Sequence, residues 1–232
     1  MWKSCNTLRE YQLEDAIKLA RLNSAACFNQ QRTGKTPTAL YALHLKAVNR
    51  YLVICPASMV YPWATEIKKW TGLDALICSG TIKHKQKQVT LWDTTHPLIV
   101  SYDSFKSTKV SEGLVDLIFK QIKHTNNNAI VLDEAHRIRK RTNKQAQAIF
   151  KVRFAFDYKL ALTVTPAPSH THDVWAILHF LYPYTFASYW SFIEQYYTIS
   201  DVYIGMNKTK KEIDHFKSKA CELKLQELLN LI

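Results

Sequence analysis

Six short apolar runs restrict the fold of this sequence more than any other feature. They are rich in Val, Ile and Leu, and helical or polar segments separate them: Ala25–Phe28, Tyr51–Cys55, Leu76–Cys78, Leu98–Ser101, Ala129–Leu132 and Leu160–Val164. Strands buried on both faces have this composition, because every residue then meets a covering helix. The pattern therefore predicts a three-layer α/β/α domain with a mostly parallel central sheet.

Segments with helical periodicity lie between and after these runs. They are Tyr11–Leu22, Pro37–Val48, Met59–Trp70, Leu114–Lys123, Lys144–Val152 and Asp173–Leu181. After Tyr182 the sequence becomes rich in aromatic residues, and an apolar stripe from Ile213 to Ile232 is typical of an amphipathic helix that packs on its own domain or on a partner. We predict an α/β domain over residues 1–182 and a helical C-terminal extension over residues 183–232.

Charge and cysteine content bear on the partner and the compartment. Lys and Arg number 31 against 19 Asp and Glu, and the net charge of +12 suits either a polyanionic partner such as nucleic acid or simple solubility. The five cysteines include no C-x-x-C pair, and no apolar stretch approaches the roughly 18 residues of a membrane span. We expect a cytoplasmic protein with reduced thiols and no membrane contact.

A candidate phosphate-binding loop follows the first apolar run and precedes a predicted helix. In such a loop, backbone N–H groups cradle phosphates, a lysine contacts the β- and γ-phosphates, and a hydroxyl ligates Mg²⁺. Asn29 stands where the motif usually begins with glycine, and asparagine tolerates left-handed backbone better than most residues. The sequence predicts an ATP and Mg²⁺ site whose loop residues are Asn29, Arg32, Thr33, Gly34, Lys35 and Thr36.

Two carboxylates and a histidine follow the fifth apolar run, as Asp133, Glu134 and His136. A carboxylate at the carboxyl end of a strand beside such a loop can hold Mg²⁺, and its neighbour can orient or deprotonate the attacking water. We assign Asp133 and Thr36 to the metal and Glu134 to the water. The predicted catalytic set is Lys35, Asp133, Glu134 and His136.

With these motifs in order, the sequence resembles the Swi/Snf-like DNA translocases of helicase superfamily two from about Leu8 to Tyr197. The resemblance implies a RecA-like P-loop lobe with a DEAH box, in which Arg9 and Gln12 belong to the adenine-recognising segment. It implies that Leu162–Pro166 couples nucleotide state to DNA grip through Thr163 and Thr165, although Val164 replaces the usual glycine.

The same resemblance implies contacts with the backbone of duplex DNA at two strand ends. The basic run after the acidic motif indicates a third contact surface, which faces either DNA or a second lobe. The candidate residues are Pro56, Ser58, Ser101, Tyr102, Arg137, Arg139 and Lys140. Trp63 and Trp70, seven positions apart on one predicted helix, are predicted core residues.

Three functional hypotheses follow. In the family, ATP cycles walk two lobes along duplex DNA without reading its sequence, and catalytic arginines come from a second RecA-like lobe, for which this sequence has no candidate. The chain is then an ATP-binding lobe that needs a second lobe from outside this sequence, or a nucleotide- or DNA-binding accessory or truncated remnant that does not hydrolyse ATP efficiently. A P-loop enzyme of unrelated purpose, such as a small-molecule kinase, is the third. Intact Lys35, Thr36, Asp133 and Glu134 favour the first.

Overall fold

The structure, a computed structural model, describes residue 2 and residues 7–93, 96–106, 108–123, 125–203 and 209–231. The chain divides into two compact units, Met1–Leu181 and Tyr182–Ile232. Among the described residues, no helix combines the length and the apolar character needed to cross a membrane.

The first unit is built on a six-stranded sheet in the order β1-β6-β5-β2-β4-β3, in which every pair of neighbours is parallel. The strands are β1 (Ser24–Cys27), β2 (Arg50–Cys55), β3 (Leu76–Cys78), β4 (Leu98–Ser101), β5 (Asn128–Asp133) and β6 (Tyr158–Leu162). Each predicted apolar run overlaps one of these strands. The predicted fold class is confirmed, because both faces of the central strands are buried under helices.

The helices of this unit are α1 (Glu10–Arg21), α2 (Lys35–Leu45), α3 (Val60–Thr71), α4 (Ile82–Thr90), α5 (Thr108–Ile122), α6 (Lys144–Val152) and α7 (Trp175–Leu181). On α3, the buried side chains Trp63, Ile67 and Trp70 recur at helical spacing and cover the sheet, and Gly72 ends the helix with a φ of +78°. Burying one such side chain contributes about 1.5–3 kcal/mol. Helix α4 was not among the predicted helices.

Strand register brings the predicted phosphate-binding loop, the acidic motif, the coupling segment and the two predicted DNA-contacting strand ends to one edge of the sheet. Cys27 and Asp133 both pair with Leu162, Ile54 pairs with Leu132, and Cys55 pairs with Ser101. The last residues of five strands therefore form a row across the carboxyl edge. Because neighbouring strands lie about 4.8 Å apart, the ends of β1 and β5 are separated by about 10 Å.

The second unit corrects the prediction of a helical extension. It contains α8 (Tyr189–Tyr196), an antiparallel hairpin of β7 (Tyr197–Tyr203) and β8 (Thr209–Phe216), and α9 (Lys219–Leu231). Ile213 and Phe216 were predicted to be helical and lie in β8 instead. The reason is a cross-strand partner for each: Ile213 pairs with Ile199, and the Phe216 ring stacks on Tyr197 at 4.6 Å. Residues 204–208, between β7 and β8, lie outside the described residues.

Candidate functional site

The loop between β1 and α2 has the geometry of an anion-binding turn. Gly34 directly precedes α2 with a φ of +82°, and Arg32 has a φ of +62°. The first N–H groups of a helix have no partner within the helix, and the first turn of α2 contains no acidic residue. These N–H groups and the positive end of the helix dipole can therefore receive a phosphate. Asn29 is not among the residues with positive φ, so Arg32 and Gly34 make the left-handed turns instead.

The Lys35 ammonium lies within this loop. Its Nζ donates hydrogen bonds to the carbonyl oxygens of Asn29 and Gln30, each at 3.0 Å. The Asn29 side chain in turn donates to the Asp15 carboxylate of α1 at 2.7 Å. Phosphate oxygens can replace the two neutral carbonyls, since hydrogen bonds between charged partners are stronger.

The first turn of α1 supports the loop through hydrogen bonds to Thr33. The carbonyl of Thr33 accepts hydrogen bonds from the Gln12 amide at 2.8 Å and from the Tyr11 hydroxyl at 3.0 Å. The Gln12 side-chain oxygen accepts from the backbone N–H of Arg9 at 2.9 Å, and Gln12 is only 8% exposed. The oxygen of Gln12 therefore caps the start of α1 while its amide nitrogen supports the phosphate-binding loop, a role that sequence reasoning missed. Adenine recognition by Arg9 and Gln12 stays a prediction.

This brace predicts a specific cost for Gly34→Ala. A Cβ atom at Gly34 would lie 2.1 Å from the Gln12 amide nitrogen, so the substitution displaces Gln12 from Thr33 and also carries the penalty for positive φ. We expect the free energy of unfolding to fall by about 2–3 kcal/mol and ATP affinity to fall about tenfold. Denaturant unfolding and calorimetric titration measure the two effects.

Gly80→Ala is the matched control, because Gly80 has a φ of +80° and its added Cβ would meet nothing nearer than 3.8 Å. It carries only the backbone penalty, about 1 kcal/mol. In a Gln12→Ala background, Gly34→Ala should cost no more than Gly80→Ala. Equal costs for the two glycine substitutions in the wild-type background would contradict the proposed bracing.

The acidic motif presents a buried carboxylate at the end of β5. Asp133 is 9% exposed; its Oδ2 accepts a hydrogen bond from the Trp63 indole at 2.8 Å, and its Oδ1 accepts one from the Glu134 N–H at 3.1 Å. Burial raises the pKa of Asp133, whereas the Trp63 hydrogen bond and the charge of Lys35 act in the opposite direction. Charge coupling between Lys35 and Asp133 agrees with their placement at one edge of the sheet.

Glu134 and His136 lie in the turn that follows. Glu134 has a φ of +52°, a conformation that costs a non-glycine residue about 1–2 kcal/mol, and its side chain is about a third exposed. The His136 Nδ1 lies 3.3 Å from the Glu134 carboxylate and 3.0 Å from the Thr163 hydroxyl. Burial lowers the pKa of His136, so the neutral imidazole is favoured. The turn therefore holds a carboxylate towards solvent and a histidine against the end of β6.

Thr163 connects this turn to the predicted coupling segment. Its side chain is fully buried, its N–H donates to the Cys27 carbonyl at 3.1 Å, and its hydroxyl also accepts from the Thr165 N–H at 3.3 Å. Thr165 itself is exposed. The end of β6 thus touches both the strand that leads into the phosphate-binding loop and the acidic motif, and coupling through Thr163 and Thr165 stays a prediction.

The predicted DNA-contacting residues differ in their exposure. Ser58 lies exposed in the 3-10 turn Ala57–Met59 after β2, and Arg137 and Lys140 are exposed after β5, with Arg139 half-buried. Pro56 and Tyr102 are buried, and the Arg137 guanidinium lies 5.6 Å from the Tyr102 ring centroid. Half-buried Ser101 contacts the Ser104 hydroxyl at 3.3 Å. A phosphate contact at buried Tyr102 would therefore use its backbone N–H, whereas Pro56 has no backbone N–H and can offer a phosphate no hydrogen-bond donor.

A phosphate-binding loop and an acidic strand end, joined at one edge of a parallel sheet, define a RecA-like P-loop domain. The chain matches the model of the SNF2-related domain over residues 15–231. It therefore belongs to the SNF2-related family, which confirms the resemblance.

Individual relatives agree with this assignment. The chain is 25% identical over 240 residues to human chromodomain-helicase-DNA-binding protein 7 and 24% identical over 239 residues to zebrafish chromodomain-helicase-DNA-binding protein 8. Each alignment covers 98% of this chain but only 8% and 9% of those proteins.

Among solved structures, the SWI2/SNF2 ATPase core of Sulfolobus solfataricus in complex with dsDNA matches with a TM-score of 0.66 and 22% identity, over 82% of this chain and 39% of that chain. The same core domain alone matches with a TM-score of 0.60 and 23% identity, over 82% of this chain and 38% of that chain. At these identities the likeness shows the fold.

Proposed function

We propose that this chain is the ATP-binding lobe of a DNA-dependent ATPase that translocates on duplex DNA, and that a second RecA-like lobe completes its catalytic site. The observation that carries the proposal is the row of strand ends at the carboxyl edge. It brings together the phosphate-binding loop, the buried Asp133 carboxylate and the exposed turn that contains Ser58. Nucleotide and DNA-binding elements are thereby built on the same rigid sheet.

ATP and Mg²⁺ fit the residues at this edge. The N–H groups of α2 and Lys35 would bind the phosphates, while Thr36 and Asp133 would hold the metal. A divalent cation would offset the cost of burying the Asp133 charge, which otherwise has only N–H donors as direct partners. In the described part of the chain, no group of three or more His, Cys, Asp or Glu side chains could hold a metal by itself. That fits Mg²⁺, which takes one or two protein ligands together with phosphates and water.

When bound, Mg²⁺ neutralises charge that develops on the phosphates. The chain's own residues perform the remaining tasks. Lys35 binds the terminal phosphates, Glu134 accepts the proton of the attacking water, and His136 links Glu134 to Thr163 so that nucleotide state reaches the end of β6. Arginines of a second lobe would stabilise the transition state.

Duplex DNA is the polyanion that fits the outer part of this edge. Exposed Ser58, Arg137 and Lys140 offer a hydroxyl and two cations for phosphate oxygens, and the net charge is +12. The solved relative in complex with dsDNA has the same fold. Contacts of this kind position a protein on DNA without reading its sequence.

An ATPase assay tests the proposal. ATP hydrolysis is measured with and without linear duplex DNA, for the chain alone and mixed with a polypeptide that carries a second SNF2-type lobe. We expect DNA to stimulate hydrolysis at least tenfold only in the mixture, because charge from the second lobe contributes about 10³-fold or more to the rate. ATP binding without stimulation in either case would indicate a non-hydrolysing accessory. DNA-independent phosphorylation of a small molecule would indicate an unrelated P-loop enzyme.

A further inference from the structure

Trp63 is more than a core residue, because its only polar atom is bound to the acidic motif. Its side chain is 1% exposed, and its indole N–H donates to the Asp133 Oδ2 at 2.8 Å from 70 residues away in the sequence. Trp70 lies two turns further along α3, and its indole donates to Glu66 on the same helix at 2.7 Å. The two buried indoles of α3 therefore have different kinds of partner. Trp70 bonds to a residue of its own helix, and Trp63 bonds to the candidate metal ligand.

The bond to Asp133 restricts how that carboxylate is presented. Asp133 has two direct donors, Trp63 at Oδ2 and the Glu134 N–H at Oδ1, and together they define the rotation of the carboxylate plane. An indole N–H can only donate, so Oδ2 must keep a lone pair towards Trp63. The remaining lone pairs of the two Asp133 oxygens, which are free for a metal, therefore point in fixed directions. A ligand to Mg²⁺ needs that fixation, because this ion demands near-ideal octahedral geometry.

The pair of Trp63 and Asp133 lies in buried surroundings. Cys55 of β2 lies level with Asp133 on the neighbouring strand and is fully buried, as is Ala135 after the acidic pair. Without the indole donor, Oδ2 would face a buried environment with an unmet hydrogen-bonding need, and the carboxylate would gain by turning towards the Glu134 N–H or solvent. Such a rotation would move the oxygen that faces the metal.

We propose that Trp63 is a positioning residue of the ATP site, which holds the Asp133 carboxylate in the orientation that binds Mg²⁺. The inference rests on the proposed function, since it requires a metal-bound nucleotide between Lys35 and Asp133. It adds a residue from α3 to a site otherwise built from the loops that follow β1 and β5.

The test measures how much Mg²⁺ strengthens nucleotide binding. Affinity for a fluorescent ATP analogue is titrated in Mg²⁺ and in excess chelator, and the ratio of the two is the magnesium increment. In Trp63→Phe we expect this increment to fall about tenfold, which corresponds to the loss of one hydrogen bond to a charged group, with chelator affinity within about twofold of wild type. Trp70→Phe is the matched control and should keep the full increment, because it removes an indole from α3 without touching Asp133.

A double-mutant cycle separates positioning from packing. In an Asp133→Asn background the magnesium increment is already reduced, and Trp63→Phe should lower it no further, because both changes act on one carboxylate. A packing effect would persist in that background and would overturn the inference. So would an unchanged increment in Trp63→Phe.

If Trp63→Phe unfolds the domain, a second variant keeps the test available. Benzothienyl-alanine at position 63 has the two-ring shape of tryptophan, but sulfur replaces the indole N–H. This variant must show the same loss of increment, and a wild-type increment would again overturn the inference. If the wild-type chain itself shows no magnesium increment, the proposed function fails instead, so the two failures are distinguishable.

Discussion

Replacement of Lys35 by alanine is expected to lower ATP affinity about 100-fold or more while the fold remains intact. Among the described residues, its ammonium is held in the mouth of the loop by the carbonyls of Asn29 and Gln30, and Lys35 is the only lysine or arginine of α2. Two charge-assisted hydrogen bonds to phosphate are lost, at about 1.5–3 kcal/mol each. Calorimetric titration with Mg²⁺ and ATP measures the change.

Lys46→Ala is the matched control for this substitution. Lys46 follows the last residue of the same helix, and its ammonium contacts the Asn23 side chain at 3.1 Å. The two lysines are separated by eleven residues of helix, about 16 Å, so Lys46→Ala removes the same charge without touching the loop. ATP affinity should stay within about twofold of wild type. Equal losses from both substitutions would mean that ATP responds to net charge rather than to a phosphate-binding loop.

The central sheet could be predicted from the sequence because its signal is local. Each strand is a short apolar run. Because both faces are buried, these runs lack the alternation of polar and apolar residues that is typical of a sheet with one face in solvent. The helices of the first unit follow from the same local patterns, apart from α4. That helix carries Lys83, His84, Lys85 and Lys87 in nine residues, and only Val89 is buried, so it lacks the apolar stripe that identifies a helix.

The second unit shows where a local pattern misleads. Apolar residues at Ile213 and Phe216 are three positions apart and suit a helix, but strand β7 supplies partners that override this spacing. Tyr197, Thr198, Ile199 and Val202 are β-branched or aromatic, which favours a strand. The sequence therefore did contain a signal for a strand, but that signal lies in β7, the partner of β8.

The candidate site was predictable by residue type but not by its supporting contacts. Glycine, lysine and carboxylate residues indicate a phosphate or metal site by their own identity and position in the sequence. The bond from Gln12 to Thr33 spans 21 residues, and that from Trp63 to Asp133 spans 70. Such pairs depend on which strand ends become neighbours in the sheet, and no periodicity of the sequence encodes this. The roles assigned to the individual site residues stay predictions.

Glu134→Gln is expected to leave ATP binding intact and to lower DNA-stimulated hydrolysis by the second-lobe mixture about 10³-fold. Glutamine keeps the size and the backbone conformation of Glu134, so Asp133 still accepts the N–H of residue 134, but the amide cannot take a proton from water. Loss of a general base costs about 10²–10⁴-fold in rate. Single-turnover hydrolysis and equilibrium titration on the same preparations give the two values.

Whether Glu134→Gln changes ATP binding and ATP hydrolysis by different factors identifies the role of Glu134. Its side chain is about a third exposed and its nearest ionisable partner is His136 at 3.3 Å, an interaction too weak to hold the loop by itself. Asp74→Asn is a control for loss of one carboxylate charge, because Asp74 lies just before β3, at the amino end of this outermost strand, and pairs with exposed Lys68. It should change neither value by more than about twofold. If Glu134→Gln weakened binding and hydrolysis by the same factor, Glu134 would be a structural residue and the base would have to come from elsewhere.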